Sequence, residues 1–527
     1  MILGIDTGGT NVDAVLLDGG DIVAKAKVPL AGTEQEAIGE ALAALRGATP
    51  GLDVDRVVVA TTLVVNAAVQ NRLARCTSLL IPGPGLDPAL SFYGDEHEVV
   101  PGCVDHRGRV TEQADYDGQP NTDVAAVTGK FSPRNPELEH DVADRIDLEE
   151  SALALGNEAG PDFTFPERAA TTVANAKTKP VFTSYQETIA SAIAAAGIDA
   201  RIYYLKGDGS MLAEQTVRST PANTLRSGVA ASAIGLLALT DADNVVCVDI
   251  GGTTTDVARV TGGFPDVDDE AVQGDIEPAY DGVTSESLSM GGDVEIEIGP
   301  RGPRLTNQRE GNAAAFGGDR PTLTDALHVT GTFTEGDEAA AADALSEIAD
   351  GSVEETAQTV IDQYVDRVGS VIDRLTVPGV TRLVVGGVLA PYLAESIAES
   401  TSWMDAWEVP DHADVAGAVG CAVARVSVET SIHIDSPRGV MTVTAVGAEE
   451  IEGIEEGRTF TDEEITDIAV ERARDAATSA GAGGDGPCEV LAADRFSVVR
   501  QGRVVGEIVD VHARIEPGID RIVGGEQ

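Results

Sequence analysis

The sequence has little lysine and little positive charge of any kind. It has 36 basic against 88 acidic residues, which gives a net charge of −52. The few lysines are Lys25, Lys27, Lys130, Lys177, Lys179 and Lys206. Binding to nucleic acid or to an anionic membrane depends on Lys and Arg side chains that neutralise phosphate. The composition therefore argues against both kinds of partner.

Cysteine and long apolar runs are also scarce. The cysteines are dispersed, odd in number and free of CxxC spacing: Cys76, Cys103, Cys247, Cys421 and Cys488. This argues against a disulfide framework and against a cysteine zinc site. The longest apolar run, 229–239, is too short to cross a bilayer. Because the first residues also lack the basic region and cleavage site of a signal peptide, we expect a cytoplasmic protein.

The acidic residues are scattered along the chain and are not collected in a tail. Together with scarce lysine and only 4% aromatic residues, this distribution is typical of a halophilic, haloarchaeal-like protein. In molar salt the Debye length falls to roughly 3 Å, and the self-repulsion of an acidic surface is screened. The alternative is an ordinary acidic enzyme.

Strand and helix patterns alternate through most of the chain, which indicates an α/β class. Helical patterns cover 35–46, 187–196, 229–239, 339–375 and 415–428, strand patterns cover 56–60, 202–205 and 383–387, and 82–136 is less regular. After residue 428 the pattern resembles antiparallel strands at 429–446 and 495–515, with a turn at Gln501-Gly502. Between them a helix over 461–477 starts at a capping box, Thr461 with Glu464. We therefore expect domains at 1–168 and 169–427, and a small module at 428–527.

The stretch VVCVDIGGTTTDVARV (245–260) repeats the pattern of the opening residues, ILGIDTGGTNVDAVLLDGG. With an offset of 243, the second copy aligns Asp249, Gly251, Gly252, Thr253, Asp256, Gly262 and Gly263 with Asp6, Gly8, Gly9, Thr10, Asp13, Gly19 and Gly20. Each copy reads as strand, glycine turn, strand. A pattern repeated at half the chain length predicts two related domains that face one another.

The residue types in these loops suit a phosphate bound together with a metal ion. Glycines let backbone N–H groups approach an anion, and threonine hydroxyls add donors. A carboxylate at the strand end would repel a bare phosphate, but Mg²⁺ prefers one or two carboxylates plus phosphate oxygens and water. The alternative is that each Gly-Gly-Thr is only a tight hairpin turn. Neither copy is a dinucleotide GxGxxG motif or a P-loop.

These loops, with the strand ending at Gly386-Gly387, resemble the phosphate and adenosine motifs of the ATPase superfamily of actin, heat-shock chaperones and sugar kinases. Within it the chain is most similar to the A-type (N-methylhydantoinase A) subunit of the hydantoinase/oxoprolinase family. The likeness extends to four stretches in the family's order: VATTLVVNAAV (59–69), VPGCVDHRGRV (100–110), LRSG (225–228) and PTLTDA (321–326). The chain departs from the family at Val59-Ala60, usually His-Gly, and at Val65, usually Thr.

The resemblance implies a two-lobed, actin-like (ribonuclease H-like) ATPase fold with a small α+β module at the C-terminus. It implies Asp6 and Asp249 as ligands of a hydrated Mg²⁺. It further implies an ATP site. The residues that would bind the phosphates are Gly8, Gly9, Thr10, Gly251, Gly252, Thr253 and Thr254, and those that would contact the adenosine are Gly386 and Gly387.

The activity that the resemblance implies is the ATP-dependent opening of a cyclic amide such as 5-oxoproline or a hydantoin, together with a separate B subunit. On the substrate side the candidate catalytic residues are Thr61, Thr62, Asn66 and Asp325. Asn66 and Asp325 could equally be a helix cap and a turn residue. Two other functions stay open, namely a non-hydrolytic actin-like activator ATPase and a small-molecule kinase.

Overall fold

The computed structural model describes residues 1–160, 163–268, 278–300, 302–309, 311–349, 351–445, 448–481 and 486–519. The strands are β1 (Ile2–Thr7), β2 (Asn11–Asp18), β3 (Asp21–Pro29), β4 (Arg56–Thr61), β5 (Cys76–Ile81), β6 (Glu96–Val99), β7 (Cys103–Val104), β8 (Val110–Glu112), β9 (Val124–Gly129), β10 (Leu153–Leu155), β11 (Arg201–Leu205), β12 (Met211–Ala213), β13 (Val245–Ile250), β14 (Thr255–Thr261), β15 (Phe264–Pro265), β16 (Val267–Asp268), β17 (Gly282–Val283), β18 (Ser285–Leu288), β19 (Ile296–Gly299), β20 (Gly302–Leu305), β21 (Arg382–Gly386), β22 (Ala406–Glu408), β23 (Glu429–Asp435), β24 (Val440–Ala445), β25 (Ala448–Gly453), β26 (Cys488–Arg500) and β27 (Arg503–Ile515).

The helices are α1 (Glu34–Ala48), α2 (Leu63–Val69), α3 (Glu137–Ala143), α4 (Gly156–Ala159), α5 (Phe165–Ala195), α6 (Glu214–Ser219), α7 (Ser227–Ala238), α8 (Leu323–Val329), α9 (Glu338–Ile348), α10 (Val353–Leu375), α11 (Ala390–Ser400), α12 (Ala416–Val423) and α13 (Asp462–Ser479). In the part of the chain that is described, no helix combines the length and the apolar character needed to cross a membrane.

The first sheet has the strand order β12-β11-β4-β1-β2-β3. Strands β1, β2 and β3 form an antiparallel meander, and β4 and β11 join parallel to β1. The apolar residues of β1 are buried, as expected for a central strand covered on both faces. The predicted boundary at residue 168 lies inside α5, and the strands β11 and β12 beyond it belong to this first sheet.

The second sheet repeats the same arrangement, with the order β15-β14-β13-β21-β22 and β18 added beside β14. Here β13 and β14 are antiparallel, and β21 and β22 join parallel to β13. The pairing registers also match, since Asp6 lies opposite Asp13 in the first sheet and Asp249 opposite Asp256 in the second. The repeat predicted from the sequence is therefore a repeat of structure, down to the residue pairs.

Helices α7 and α12 lie between the two sheets and cross at glycines. A Cβ atom on Gly235 of α7 would lie 1.8 Å from the carbonyl oxygen of Ala416, and one on Gly420 of α12 would lie 1.8 Å from that of Ala231. On its other side α12 packs against β1, where a Cβ on Gly4 would lie 2.0 Å from the carbonyl oxygen of Ala418. Small residues thus bring the two sheets close together through a thin double layer of helix.

A parallel sheet of order β10-β9-β5-β6 is inserted after the first repeat. The sequence predicted an irregular region over 82–136, and this is wrong for β6 and β9. Strand β9 (VAAVTG) is buried throughout, but its alanines carry a weak strand signal. The part of α5 before residue 187 was also missed because of its prolines. Pro166 lies in the first turn, where the missing N–H costs nothing, whereas Pro180 lies inside the helix.

The predicted helix over 339–375 is two helices, α9 and α10, separated near Gly351, whose φ of +139° ends helical geometry. After residue 428 the sheet order is β25-β24-β23-β27-β26, with α13 packed on it. Antiparallel pairing of β26 with β27 around Gln501-Gly502 and the capping box of Thr461 with Glu464 agree with the sequence predictions. The glycine-rich segment 480–486 (AGAGGDG), for which the sequence predicts a flexible link, lies partly outside the described residues.

Candidate functional site

The two glycine loops meet at the interface of the two sheets. The hydroxyl oxygens of Thr10 and Thr253 lie 3.4 Å apart. A Cβ on Gly252 would lie 2.9 Å from Oγ1 of Thr10, and one on Gly9 would lie 3.9 Å from Oγ1 of Thr253. Both loops, one from each repeat, therefore bound the same small space.

Each loop is also a tight turn with the same backbone hydrogen bond. Gly8 N–H donates to the carbonyl of Asn11 at 3.0 Å, and Gly251 N–H donates to that of Thr254 at 2.9 Å. The hairpin turn that the sequence left as an alternative is thus present in both copies. A hairpin turn by itself does not require the two loops to face each other. The contact between Thr10 and Thr253 is therefore a separate observation that the hairpin turns do not explain.

Four carboxylates lie behind the loops: Asp6, Asp13, Asp249 and Asp256. Burial, followed by the charges of Asp13 and Asp249, raises the pKa of Asp6 well above its ordinary value. Burial also raises the pKa of Asp249. It raises the pKa of Asp13 and of Asp256 to about 6 in each case. Like charges buried together are unfavourable unless a cation or protons compensate them, so this cluster is a place where a cation would be held.

Lys27 supplies one positive charge to the cluster. Its Nζ donates to both oxygens of Asp13, at 2.9 and 2.7 Å, and to the carbonyl of Asp414 at 2.9 Å. Burial disfavours its charged form, but the neighbouring Asp13 outweighs this and the pKa of Lys27 is raised. Nothing in the sequence singled out Lys27 beyond the scarcity of lysine.

The donor set fits a Mg²⁺ ion that keeps water and phosphate ligands. Within the described residues no three His, Cys, Asp or Glu side chains are grouped so as to hold a metal by themselves. Oδ1 of Asp6 is buried and accepts no hydrogen bond from the described residues, which leaves a carboxylate oxygen open to a ligand. Two carboxylates with otherwise non-protein ligands are the usual arrangement for Mg²⁺.

Gly386 and Gly387 lie beside the second loop, because Gly386 pairs with Asp249 across β21 and β13. Gly387 has φ of +91°, and a Cβ there would lie 2.2 Å from the carbonyl oxygen of Ile250. Packing against β13 alone therefore requires glycine at 387. The same packing brings the end of β21 to the edge where the second loop begins.

Thr61, Thr62 and Asn66 lie next to the first loop, because Thr61 is in register with Thr7 at the ends of β4 and β1. Thr61 exchanges backbone hydrogen bonds with Oγ of Ser227, at 3.3 and 3.0 Å. Asn66 lies within α2, and its Nδ2 donates to Oγ1 of Thr62 at 3.3 Å. The alternative that Asn66 is a helix cap is therefore wrong, since the cap position belongs to Thr62.

Asp325 is fully buried and bonded on both carboxylate oxygens. Oδ2 accepts from the N–H groups of Ala314 and Thr322 and from the hydroxyl of Thr322, and Oδ1 accepts from the N–H of Ala315. Asp325 is also the third residue of α8 in a capping box with Thr322. These contacts hold the start of α8 against residues 314–315.

A second set of contacts positions the loops and was not predicted. Ser232 of α7 donates a hydrogen bond to Asp249, and a Cβ on Gly417 of α12 would lie 2.1 Å from Oδ2 of Asp6. Asp293 N–H donates to the carbonyl of Gly252 at 2.8 Å, and its carboxylate lies 3.3 Å from Arg309. All of these residues are distant from the loops in sequence. The only signal in the sequence was the small-residue character of α7 and α12.

A cavity of 730 Å³ lies elsewhere, at the amino ends of β5, β9 and β10. Its lining includes Arg72, Lys177 and Pro180 together with Asp123 and Glu150. None of the loop residues contributes to it. We place the candidate site at the loops because the convergent carboxylates and hydroxyls lie there.

Two family models match the chain. The Hydantoinase/oxoprolinase model matches residues 168–430, and the Hydantoinase/oxoprolinase N-terminal region matches residues 2–100. The chain belongs to the hydantoinase/oxoprolinase family. The caprolactamase subunit alpha of Pseudomonas jessenii is 26% identical over 381 residues, which is 63% of this chain and 55% of that subunit. The chain thus spans little more than half the length of the caprolactamase subunit alpha.

Two solved structures share the fold. The nucleotide-free structure of acetone carboxylase superimposes with a TM-score of 0.72 at 16% identity, covering 99% of this chain and 88% of that one. The ATP-dependent caprolactamase of Pseudomonas jessenii superimposes with a TM-score of 0.65 at 20% identity, covering 98% and 87%. With the two matching sheets, these likenesses confirm the predicted α/β fold class, an actin-like ATPase fold with a C-terminal α+β module.

Proposed function

We propose that this chain is an A-type, ATP-dependent hydrolase subunit that phosphorylates and opens a cyclic amide of the 5-oxoproline or hydantoin type. The observation that carries this proposal is the meeting of two Asp-x-Gly-Gly-Thr loops, at Thr10 and Thr253, in front of buried carboxylates. Membership of the hydantoinase/oxoprolinase family and the likeness to a caprolactamase, whose name denotes a lactam substrate, support the cyclic amide.

In the nucleotide site, backbone N–H groups and hydroxyls of the two loops would bind the phosphates of ATP. These residues are Gly8, Gly9, Thr10, Gly251, Gly252, Thr253 and Thr254. Gly386 and Gly387 would lie against the adenosine. Asp6 and Asp249 would hold a hydrated Mg²⁺, which would neutralise phosphate charge when bound. Lys27 keeps Asp13 paired, so that the two carboxylates nearest the loops stay available.

Phosphorylation solves a chemical difficulty, because an amide carbonyl is a poor electrophile. Transfer of the γ-phosphoryl group of ATP forms a bond between phosphorus and the amide oxygen and releases ADP. Water then adds to the activated carbon and the C–N bond of the ring breaks, which leaves an acyl phosphate and a free amino group. A second water hydrolyses the acyl phosphate to the carboxylate and releases phosphate. The net reaction consumes ATP and two waters and gives ADP, phosphate and the ring-opened amino acid.

On the substrate side we assign Thr61, Thr62 and Asn66 to positioning the amide or the attacking water, since they flank the first loop. Asp325 we assign to holding the segment beside the second loop. The next residue towards the N-terminus, Thr324, donates from its N–H and its hydroxyl to the carbonyl of Gly292, which precedes Asp293, and the N–H of Asp293 bonds to Gly252. A B-type subunit would complete the hydrolysis, and the name of the relative, a subunit alpha, supports such a partner.

The decisive experiment measures Mg·ATP binding by calorimetry and ATP turnover with 5-oxoproline, hydantoins or caprolactam, in molar KCl, with and without a candidate B subunit. We expect the Asp6→Ala/Asp249→Ala double variant to lose Mg·ATP binding. A matched Asp18→Ala/Asp21→Ala variant, at the exposed β2–β3 turn, should keep it. Unchanged binding in the first variant would refute the nucleotide site.

The same assay separates the other functional classes. Turnover stimulated by a cyclic amide, with the ring-opened amino acid as product, supports the proposal. Stimulation by a protein alone would identify an activator ATPase, and a stable phosphorylated small molecule would identify a kinase. Asn66→Ala should remove the stimulation by the amide while leaving ATP affinity unchanged.

A further inference from the structure

Strand β26 forms the outer edge of the C-terminal sheet and is unusually long. It pairs with β27 from Cys488, opposite Ile515, to Arg500, opposite Arg503. On its other side, no strand of the described chain pairs with it. It has 13 residues and no proline, whereas strands of about 5–6 residues are typical and exposed edges are normally short or interrupted. Such an edge offers a row of free backbone hydrogen-bonding groups to another strand.

The register of the hairpin fixes which side chains of β26 share a face. One irregularity is an extra residue of β26 at Leu491, and the other is an extra residue of β27 at Val505. From Ala492 to Arg500 the strand therefore keeps its period of two without interruption. Asp494, Phe496, Val498 and Arg500 lie on one face of the sheet.

This stretch leaves apolar surface exposed. Phe496 and Val499 are each 59% exposed, and Val504, the cross-strand partner of Val499, is 58% exposed. Phe496 lies on the face that carries Asp494 and Arg500, whereas Val499 and Val504 lie next to each other on the opposite face. Large apolar side chains exposed in this way are typical of an interface. Residues 495–505 (RFSVVRQGRVV) also differ from the rest of this acidic chain, because they contain three arginines and no acidic residue.

Like charges face each other across the hairpin of β26 and β27. Asp494 lies directly opposite Asp510, and Arg500 directly opposite Arg503; like charges in such positions are destabilising. Asp510 is compensated by His433 at 2.7 Å and Arg134 at 3.0 Å. Among the described residues, Asp494 and Arg500 have no ion-pair partner. Each would gain from an opposite charge across the open edge.

We propose that β26 pairs antiparallel with β26 of a second copy of this chain, about a two-fold axis at Ser497. This centring places Asp494 opposite Arg500 of the second copy and Phe496 opposite Val498 of the second copy. By symmetry each contact occurs twice, so one face carries two ion pairs around an apolar centre. An axis at Asp494 would set two carboxylates together, and an axis at Arg495 would set two guanidinium groups together.

The strand has the order that a two-fold pairing requires. Its acid precedes the apolar centre and its base follows, so that antiparallel pairing joins acid to base, whereas parallel pairing would join like to like. A two-fold axis normal to the sheet also demands that paired residues share a face, and this condition holds for the four residues. The dimer is an isologous contact that extends each C-terminal sheet into the other.

Sedimentation equilibrium in KCl tests the dimer. We expect a monomer–dimer equilibrium in the wild type, and a dimer dissociation constant at least about tenfold higher in Asp494→Arg and in Arg500→Asp, because each creates like-charge contacts across the axis. An equimolar mixture of these two variants should form a heterodimer, since every contact then joins opposite charges. Phe496→Asp should also dissociate the dimer, whereas Leu90→Asp, at an equally exposed apolar position, should not.

Disulfide trapping tests the register. On a Cys488→Ala background, Ser497→Cys should cross-link to itself under mild oxidation. Val499→Cys should not, because its two copies would be four residues apart, or about 13–14 Å, beyond disulfide reach. A monomeric wild type, a dimer unaffected by the β26 variants, or failure of the variant mixture to associate would overturn the proposal. So would binding of another polypeptide at this edge in place of a second copy.

Discussion

At the scale of single residues, buried tyrosine hydroxyls stand behind the strands that carry the two loops. The hydroxyl of Tyr185 lies 2.6 Å from Oγ1 of Thr7, and that of Tyr364 lies 2.6 Å from Oγ1 of Thr255. Thr7 donates its own proton to the carbonyl of Ala60, so Tyr185 is the donor to Thr7. Burial raises the pKa of Tyr185, and the phenol therefore keeps this proton at any physiological pH.

We predict that Tyr185→Phe loses about 1–2 kcal/mol of stability and weakens ATP binding severalfold, because the end of β1 is no longer held. The control is Tyr280→Phe. Tyr280 is equally buried and bonds to Asn175 and Ala159 away from the loops, so this change should lower stability alone. Denaturant titration and calorimetry measure the two effects. Equal ATP affinity in wild type and Tyr185→Phe would contradict the argument.

The buried carboxylates predict a pH dependence of the metal-free protein. The pKa of Asp256 rises from 3.8 to about 6 on folding, so the folded state binds this proton more tightly. Its contribution to stability is therefore present below 3.8 and is lost as the pH rises through about 6. In EDTA, Asp256→Asn should be more stable than the wild type above pH 6, by an amount of the order of 1–2 kcal/mol after allowance for solvent screening.

The difference between Asp256→Asn and the wild type should vanish as the pH falls below 3.8, where Asp256 is protonated in both the folded and the unfolded state. Comparison at a fixed KCl concentration removes the effect of the general acidic surface, and Asp18→Asn at an exposed turn provides the control. A difference that does not change with pH would show that Asp256 acts through its hydrogen bond from Ser287 and not through its charge.

Residue by residue, the sequence predicted what lies near in sequence and missed what folding brings together. Asp6 and Asp249 could be placed at strand ends because the apolar run and the glycines are local signals. Lys27, Ser232 and Gly417 could not, since each reaches the carboxylates from a separate strand or helix. The sequence could not distinguish Asp325 from a catalytic carboxylate, because its bonds to Ala314 and Ala315 depend on a short 3₁₀ helix, Ala314–Phe316, that no sequence pattern predicted.

At the scale of secondary structure, the crossing of α7 and α12 is the most demanding contact. We predict that Gly235→Ala destabilises the protein by more than the about 1–3 kcal/mol of ordinary overpacking, because the added methyl meets rigid backbone at 1.8 Å. Gly39→Ala in α1, where nothing lies within 4 Å, should stabilise by up to about 1 kcal/mol. Thermal unfolding distinguishes the two. A mild effect of Gly235→Ala would mean that the helices can separate.

The secondary structure elements were predictable where the hydrophobic periodicity of a segment agrees with the glycine and proline residues at its ends. The strand–turn–strand units were found because an apolar run ends at glycines, and the hairpin of β26 and β27 was found because an alternating pattern is interrupted at Gln501-Gly502. Helix α5 was found only from residue 187 onward, since Pro166 and Pro180 indicate helix breaks, although one lies in the first turn of the helix and the other is tolerated inside it. The tertiary contacts of the helix compensate for a hydrogen bond that the sequence counts as lost.

At the scale of the whole molecule, the net charge of −52 predicts salt dependence. Between roughly 0.1 and 3 M KCl the Debye length shrinks from about 10 Å to below 3 Å, and self-repulsion of the folded state falls accordingly. We expect the melting temperature and the activity to rise over this range. Replacing a handful of exposed acids with Lys should move the salt requirement downward. A flat melting temperature would contradict the halophilic interpretation while leaving the nucleotide site unaffected.

The packing of α12 on β1 has a consequence for the order in which the protein can be made. Gly4 is synthesised long before the helix that covers it, which begins only at Ala416. At about 5–20 residues per second, a ribosome needs roughly 20–80 s to pass from one to the other. During that interval the apolar surface of the nascent first sheet stays uncovered, so a ribosome stalled before residue 416 should yield a chain that depends on chaperones to remain free of aggregation.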